Sequence, residues 1–141
     1  ERLFMWKSAV NMFEDHPILG IGYHNVQELY SDYRHPESSN KVYVQMHNVY
    51  LNILAELGII GFSLFVILIT KFIRMAYKLY HNKRSFIPIA FLGILLGILI
   101  HGVVDVTIRA TEVGIILTFF PALIYVINEH NLYNENKEVF D

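Results

Sequence analysis

His47, Asn48, Asn52 and Glu56 stand at the front of the stretch VQMHNVYLNILAELGIIG, residues 44–61, which runs into a long apolar segment. On a helix Asn48, Asn52 and Glu56 recur at i, i+4 and i+8, so they share one face. The chemistry open to these types is proton transfer and hydrogen bonding. An imidazole titrates near neutrality, so His47 can cap the helix, bind a metal or move a proton. A carboxylate facing lipid at the bilayer centre costs roughly 2–3 kcal/mol, so Glu56 should face protein or a wet cavity. The polar stripe then either glues neighbouring helices together or lines a reaction cavity.

The elements that must position these groups are apolar helices. The chain has 141 residues, 54% hydrophobic and only 17% charged, which is richer in apolar residues than a typical soluble domain. Three segments predict membrane spans. The first, about 50–72, holds the uncharged run LGIIGFSLFVILIT. The second, 86–104, has His101 as its one ionisable group. The third, built on VGIILTFFPALIYVI, approaches the ~20 residues of a span only when extended to about 110–128. Three such segments in so short a chain argue against buried core helices of a soluble protein.

The predicted fold class is therefore an all-α integral membrane protein. An outer loop, residues 1–49, precedes three transmembrane helices within 50–127, and a tail follows from 128 to 141. Lys71, Arg74, Lys78, Lys83 and Arg84 lie between the first two spans with no acid among them. The positive-inside rule puts that 71–85 loop and the tail in the cytoplasm, and residues 1–49 and 105–112 outside. His101, Asp105, Arg109 and Glu112 then come to the same face as His47 and Glu56, with Arg2 in the outer segment. Ionisable groups gathered at a membrane face mark a functional site.

Within the outer segment, Leu3, Trp6, Val10 and Phe13 recur at helical spacing. They predict a helix lying on the membrane with Trp6 at headgroup level, or an ordinary packed helix. Pro17 ends it, and Gly20 and Gly22 supply a turn. A polar, Tyr-rich stretch from Tyr23 to Tyr43 follows, with Pro36, Ser38, Ser39 and Asn40 as its loop centre. Several classes are excluded. A net charge of -2 does not suit a general nucleic-acid binder, and the absence of Cys removes disulfides and thiolate zinc sites. No HExxH, GxSxG or P-loop occurs, and the lone GIG is no dinucleotide fingerprint. Gly93 and Gly97 have the small-xxx-small spacing of close helix contacts.

The run ERLFMWKSAVNMFEDHPILGIGYHNV, followed by MHNVYLNILAELGIIG, resembles the C-terminal half of the O-antigen ligase/polymerase superfamily. The resemblance is carried by Arg2, Trp6, Asp15, Pro17, Gly20, Gly22, His47, Asn48, Leu51, Glu56, Gly58 and Gly61, and by LIHGVVD at 99–105. It implies a fragment of a larger multi-pass, GT-C-type glycosyltransferase, inactive alone, working on the outer face of the bacterial plasma membrane. Its partners would be an undecaprenyl-pyrophosphate-linked glycan, a glycan or lipid acceptor and membrane lipids, with no nucleic acid, metal or other cofactor. The family's outer-loop His maps to His47, the base that takes the acceptor hydroxyl's proton. The family's Arg maps to Arg2, a clamp for the pyrophosphate. Asn48, Glu56, His101, Asp105 and Arg109 are the expected substrate-binding groups. A reading from another class is a non-catalytic transporter or flippase segment of a polysaccharide export pathway. Such proteins hold substrate near the midplane on broken helices, whereas this cluster lies at the outer end.

Overall fold

The computed structural model describes residues 1–39, 46–83, 86–106 and 110–140. Among these the chain forms five helices and no strand: α1 (Arg2–Asp15), α2 (Val26–Tyr33), α3 (Val49–Lys83), α4 (Phe86–His101) and α5 (Thr111–Phe140). They fall into two compact units. One holds Glu1–Ile67 with Ile98–Ile108, and the other Leu68–Gly97 with Arg109–Asp141.

The first unit has its own small core. Met5, Ala9 and Met12 of α1 pack with Val26 and Tyr30 of α2, with Met46, and with Ala55 of α3. The buried residues of α1 are Met5, Ser8, Ala9 and Met12, while Leu3 and Val10 of the other stripe are exposed. The half-buried Trp6 donates its indole N–H to the Met46 carbonyl at 3.0 Å.

The loop after α2 is held to the start of α1. The Glu1 carboxylate accepts the Ser38 hydroxyl at 2.9 Å, and the Ser39 amide and hydroxyl at 2.9 and 2.6 Å. The Ser39 hydroxyl, the Ser39 amide and the Ser38 hydroxyl, in that order, hold the Glu1 carboxyl down to about 2. His35 stacks on Phe4 with ring centres 4.6 Å apart. Tyr33 donates its phenol proton to Asp15, which raises its pKa above the usual phenol value.

α3 is not one regular helix. Gly58 has φ 61° and ψ -163°, so the helix breaks between a front half, Val49–Leu57, and a long apolar half from Ile59. The long half continues to Lys83, past the expected end near residue 72. Lys71, Arg74 and Lys78 therefore ride on the helix instead of in a loop, while Arg84 lies outside the described residues. Cations near a helix C-terminus are favoured by its dipole, and their long stems let them sit there at little cost.

One helix, Val49–His81, is long and apolar enough to cross a membrane, with mean hydropathy 2.4. Only 17% of its most apolar window is buried, where a soluble core helix would be mostly covered. Leu64, Val66, Ile67 and Leu68 are all exposed. From Ile59 to Lys83 the helix is roughly 36 Å at ~1.5 Å per residue, longer than the ~30 Å hydrocarbon layer. Phe86–His101 and Glu112–Ile127 are apolar but shorter. α4 stops at His101 instead of running to 104, and α5 continues past Asn128 to Phe140.

The second unit packs through aromatics and small clusters. Phe91 stacks on Phe120 at 6.0 Å and meets the edge of Phe72 at the same spacing. Ala76, Leu79, Leu95 and Ile124 are buried in that unit. Gly93 and Gly97 have open space around them, so no close helix contact uses that small-residue spacing among the described residues.

Candidate active site

The site lies where the start of α3 meets the end of α4. Each helix end has orphan backbone groups: the start has free N–H donors, and the end has free carbonyls. Here one N–H and two side chains at the start of α3 bond carbonyls at and just past the end of α4. Val49 N–H donates to the Gly102 carbonyl at 2.8 Å. The Asn48 amide donates to the Val103 carbonyl at 3.0 Å, across 55 residues of sequence. The Tyr50 hydroxyl donates to the Leu99 carbonyl at 2.7 Å. The positive end of one helix dipole thus faces the negative end of the other.

Asn48 also caps α3. Its Oδ1 accepts the Leu51 N–H at 3.0 Å, an ordinary N-cap bond. Both ends of this buried amide are therefore committed to backbone. His47 precedes it with φ 50°, left-handed backbone that only a few per cent of non-glycine residues adopt. That turn directs the chain into the cap. It also sets the half-buried imidazole beside Asp105, with Nδ1 3.7 Å from Oδ1. Nδ1 is buried and has no hydrogen-bond partner among the described residues.

Asp105 is fixed from its own side. Its N–H and that of Val104 both donate to the His101 carbonyl at 3.0 Å, and its Oδ1 accepts the Val106 N–H at 2.7 Å. His101 is exposed, and its carbonyl shapes the turn carrying Asp105. The spacing of 3.7 Å is longer than a hydrogen bond.

Four backbone groups beside the break at Gly58 are bonded by the loop after α1. Ile21 and Gly22 N–H donate to the Ala55 and Glu56 carbonyls, both at 2.9 Å. In return Ile59 and Ile60 N–H donate to the Pro17 and Ile18 carbonyls at 2.8 and 3.4 Å. The two backbones approach so closely that a Cβ at Gly20 would strike the Glu56 carbonyl, and one at Gly58 the Ile18 carbonyl. Both glycines also have positive φ. The turn Pro17–Gly22 and the glycine of the E-x-G stretch are thus two halves of one interlock.

The other site candidates fall as follows. Glu56 and Asn52 are 2% and 1% exposed, inside the first unit on the front half of α3. The Asn52 Oδ1 has no hydrogen-bond partner among the described residues. Arg2 is exposed, one helical turn before Trp6. It makes no ion pair with the site among the described residues, but its helix is tied through Trp6 to Met46, next to His47. Arg109 lies outside the described residues. Sequence reasoning grouped Asp105 with His47 but missed the Gly58 break and its loop partners. The paired glycines were the available signal.

Residues 1–66 match a family model described as O-antigen ligase. No curated protein and no solved structure matches the chain. The matched span holds α1, α2, both sides of the interlock, His47 and the break at Gly58, while Asp105 lies beyond it. The family match and the long apolar helix point to a membrane protein with a ligase/polymerase-type role in polysaccharide biosynthesis. Over residues 1–66 the chain is similar to the O-antigen ligase/polymerase superfamily.

Proposed function

We propose that this chain carries the acid–base half of a glycosyltransferase that moves a glycan from an undecaprenyl-pyrophosphate carrier to a hydroxyl acceptor. The observation that carries the reading is the His47–Asp105 pair: an imidazole in left-handed backbone, its buried Nδ1 3.7 Å from a carboxylate that is itself anchored. In such a pair the carboxylate holds the Nδ1–H tautomer and stabilises the imidazolium, which leaves Nε2 to act as base.

In the proposed step the acceptor hydroxyl gives its proton to His47 Nε2 as its oxygen bonds to the anomeric carbon. The bond from that carbon to the pyrophosphate oxygen breaks, and the carrier leaves as the lipid pyrophosphate with the electron pair. Arg2, exposed on α1, meets the growing negative charge with a guanidinium, and Arg109 serves the same phosphates. His101 and Glu56 bound the polar lining on the two helices. Asn48 contributes by holding the start of α3, since both ends of its amide are already used.

In this reading α4 and α5 join α3 as three spans of a multi-pass, GT-C-type bundle in the bacterial plasma membrane. The basic residues from Lys71 onward lie on the cytoplasmic side and His47 faces outward. His47→Ala in the full-length protein should lower transfer about 10²- to 10⁴-fold while its membrane level holds. Polymer transfer is read from carrier-linked and acceptor-linked glycan, and an active variant would sink the catalytic assignment.

A further inference from the structure

We infer that Gly20 and Gly58 are positioning residues for His47, acting through the short front half of α3; the inference rests on the catalytic role proposed for His47. The half-helix Val49–Leu57 is gripped at both ends. At the top, Val49, Asn48 and Tyr50 bond the carbonyls of Gly102, Val103 and Leu99. At the bottom, the Pro17–Gly22 loop bonds Ala55 and Glu56 and takes up the N–H groups of Ile59 and Ile60. Between the grips it is a rigid lever with His47 at its tip.

A helix break normally leaves backbone groups for water or a ligand. Here four of the groups around Gly58 are bonded to one loop, so that loop helps set the angle of the break. The angle depends on how closely the two backbones approach. At Gly20 the space a Cβ needs is already taken by Glu56 and by Leu57 N, and at Gly58 by Ile18 and Gly20 N. These are backbone atoms, which cannot rotate away as a side chain would. A methyl group at Gly20 therefore pushes the lower end of the lever, and the displacement reaches His47, whose spacing to Asp105 is 3.7 Å. A shift near 1 Å at a reacting group costs about 100-fold in rate.

The test is Gly20→Ala in the full-length protein, assayed in membranes with the cell's own lipid-pyrophosphate-linked glycan and normalised to membrane level. kcat should fall about 10- to 100-fold with KM within about twofold, the pattern of an interaction made only in the transition state. Gly93→Ala is the matched control, because its Cβ would meet nothing within 4 Å. Wild-type kcat in Gly20→Ala, or a change in KM alone, overturns the inference. If that variant fails to accumulate, Gly102→Ala decides. Its Cβ would meet the Ile98 and Leu99 carbonyls at 3.2 and 3.3 Å and Val49 Cβ at 3.4 Å, so the upper grip is pressed but not broken. A several-fold lower kcat at unchanged KM supports the lever, and an unchanged kcat overturns it. Active Gly20→Ala beside inactive His47→Ala sinks only this inference, whereas active His47→Ala sinks the functional reading.

Discussion

The two halves of α3 share one helix assignment and little else. Before Gly58 the half-helix buries Asn48, Asn52, Ala55 and Glu56 and spends its end groups on neighbouring backbone. After Gly58 the helix exposes Ile59, Ile60, Leu64, Ile67 and Leu68. The first half places polar groups to within hydrogen-bond tolerances. The second half supplies apolar surface, whose interaction with lipid has no preferred direction. Substitutions in the front half should therefore be costly and specific, and those in the apolar half mild.

The sharpest break of that contrast after His47 itself is Asp105→Asn. It keeps the shape and removes the charge that steadies an imidazolium, so kcat should fall about 10- to 100-fold with little change in KM. Kinetics on the normalised full-length protein would show it. An unaltered kcat would reduce Asp105 to a partner of the Val106 amide.

Asn48→Ala comes next, acting on stability. It loses an N-cap bond worth about 1 kcal/mol and leaves the Val103 carbonyl without its donor, for about 2 kcal/mol in total. The thermal midpoint in detergent should drop measurably. Asn48→Asp sharpens the reading, because a carboxylate still accepts from Leu51 but cannot donate to Val103. A midpoint equal to wild type in both variants would mean the two helix ends do not need this side chain.

The smallest effect is expected at Glu1. Its folded-state pKa of about 2 lies below the ordinary 4.5, so its contribution is complete above pH 4.5 and is lost as pH falls toward 2. The group is fully exposed, so solvent screens the effect. Amide exchange at Ser39 should quicken over that window in the wild type and show no such dependence in Glu1→Gln. Identical pH dependence in both would remove the clamp on the 34–39 loop.

Much of this was legible in residue order. The apolar run after Leu57, the basic residues from Lys71, and the return of Asp105 to the side of His47 all follow from hydropathy and charge. The choice of packed face on α1 was not, because Met5, Ala9 and Met12 and the rival stripe of Leu3 and Val10 are both apolar at helical spacing. Only the presence of Val26, Tyr30 and Ala55 decides between them. The helix bounds also moved, since helical hydrogen bonding continues through the basic residues to Lys83 while hydropathy falls.

By itself the sequence determined that an apolar helix would exist, that His47 would stand at its front, and that Gly20 and Gly22 would supply a turn. It did not determine that Gly20 and Gly58 serve each other, or that Asn48 would be spent on a cap and a distant carbonyl. Local periodicity reports what a residue does within its own helix. Backbone bonds between a loop and a helix break depend on two segments meeting in space, and only the tertiary structure brings them together.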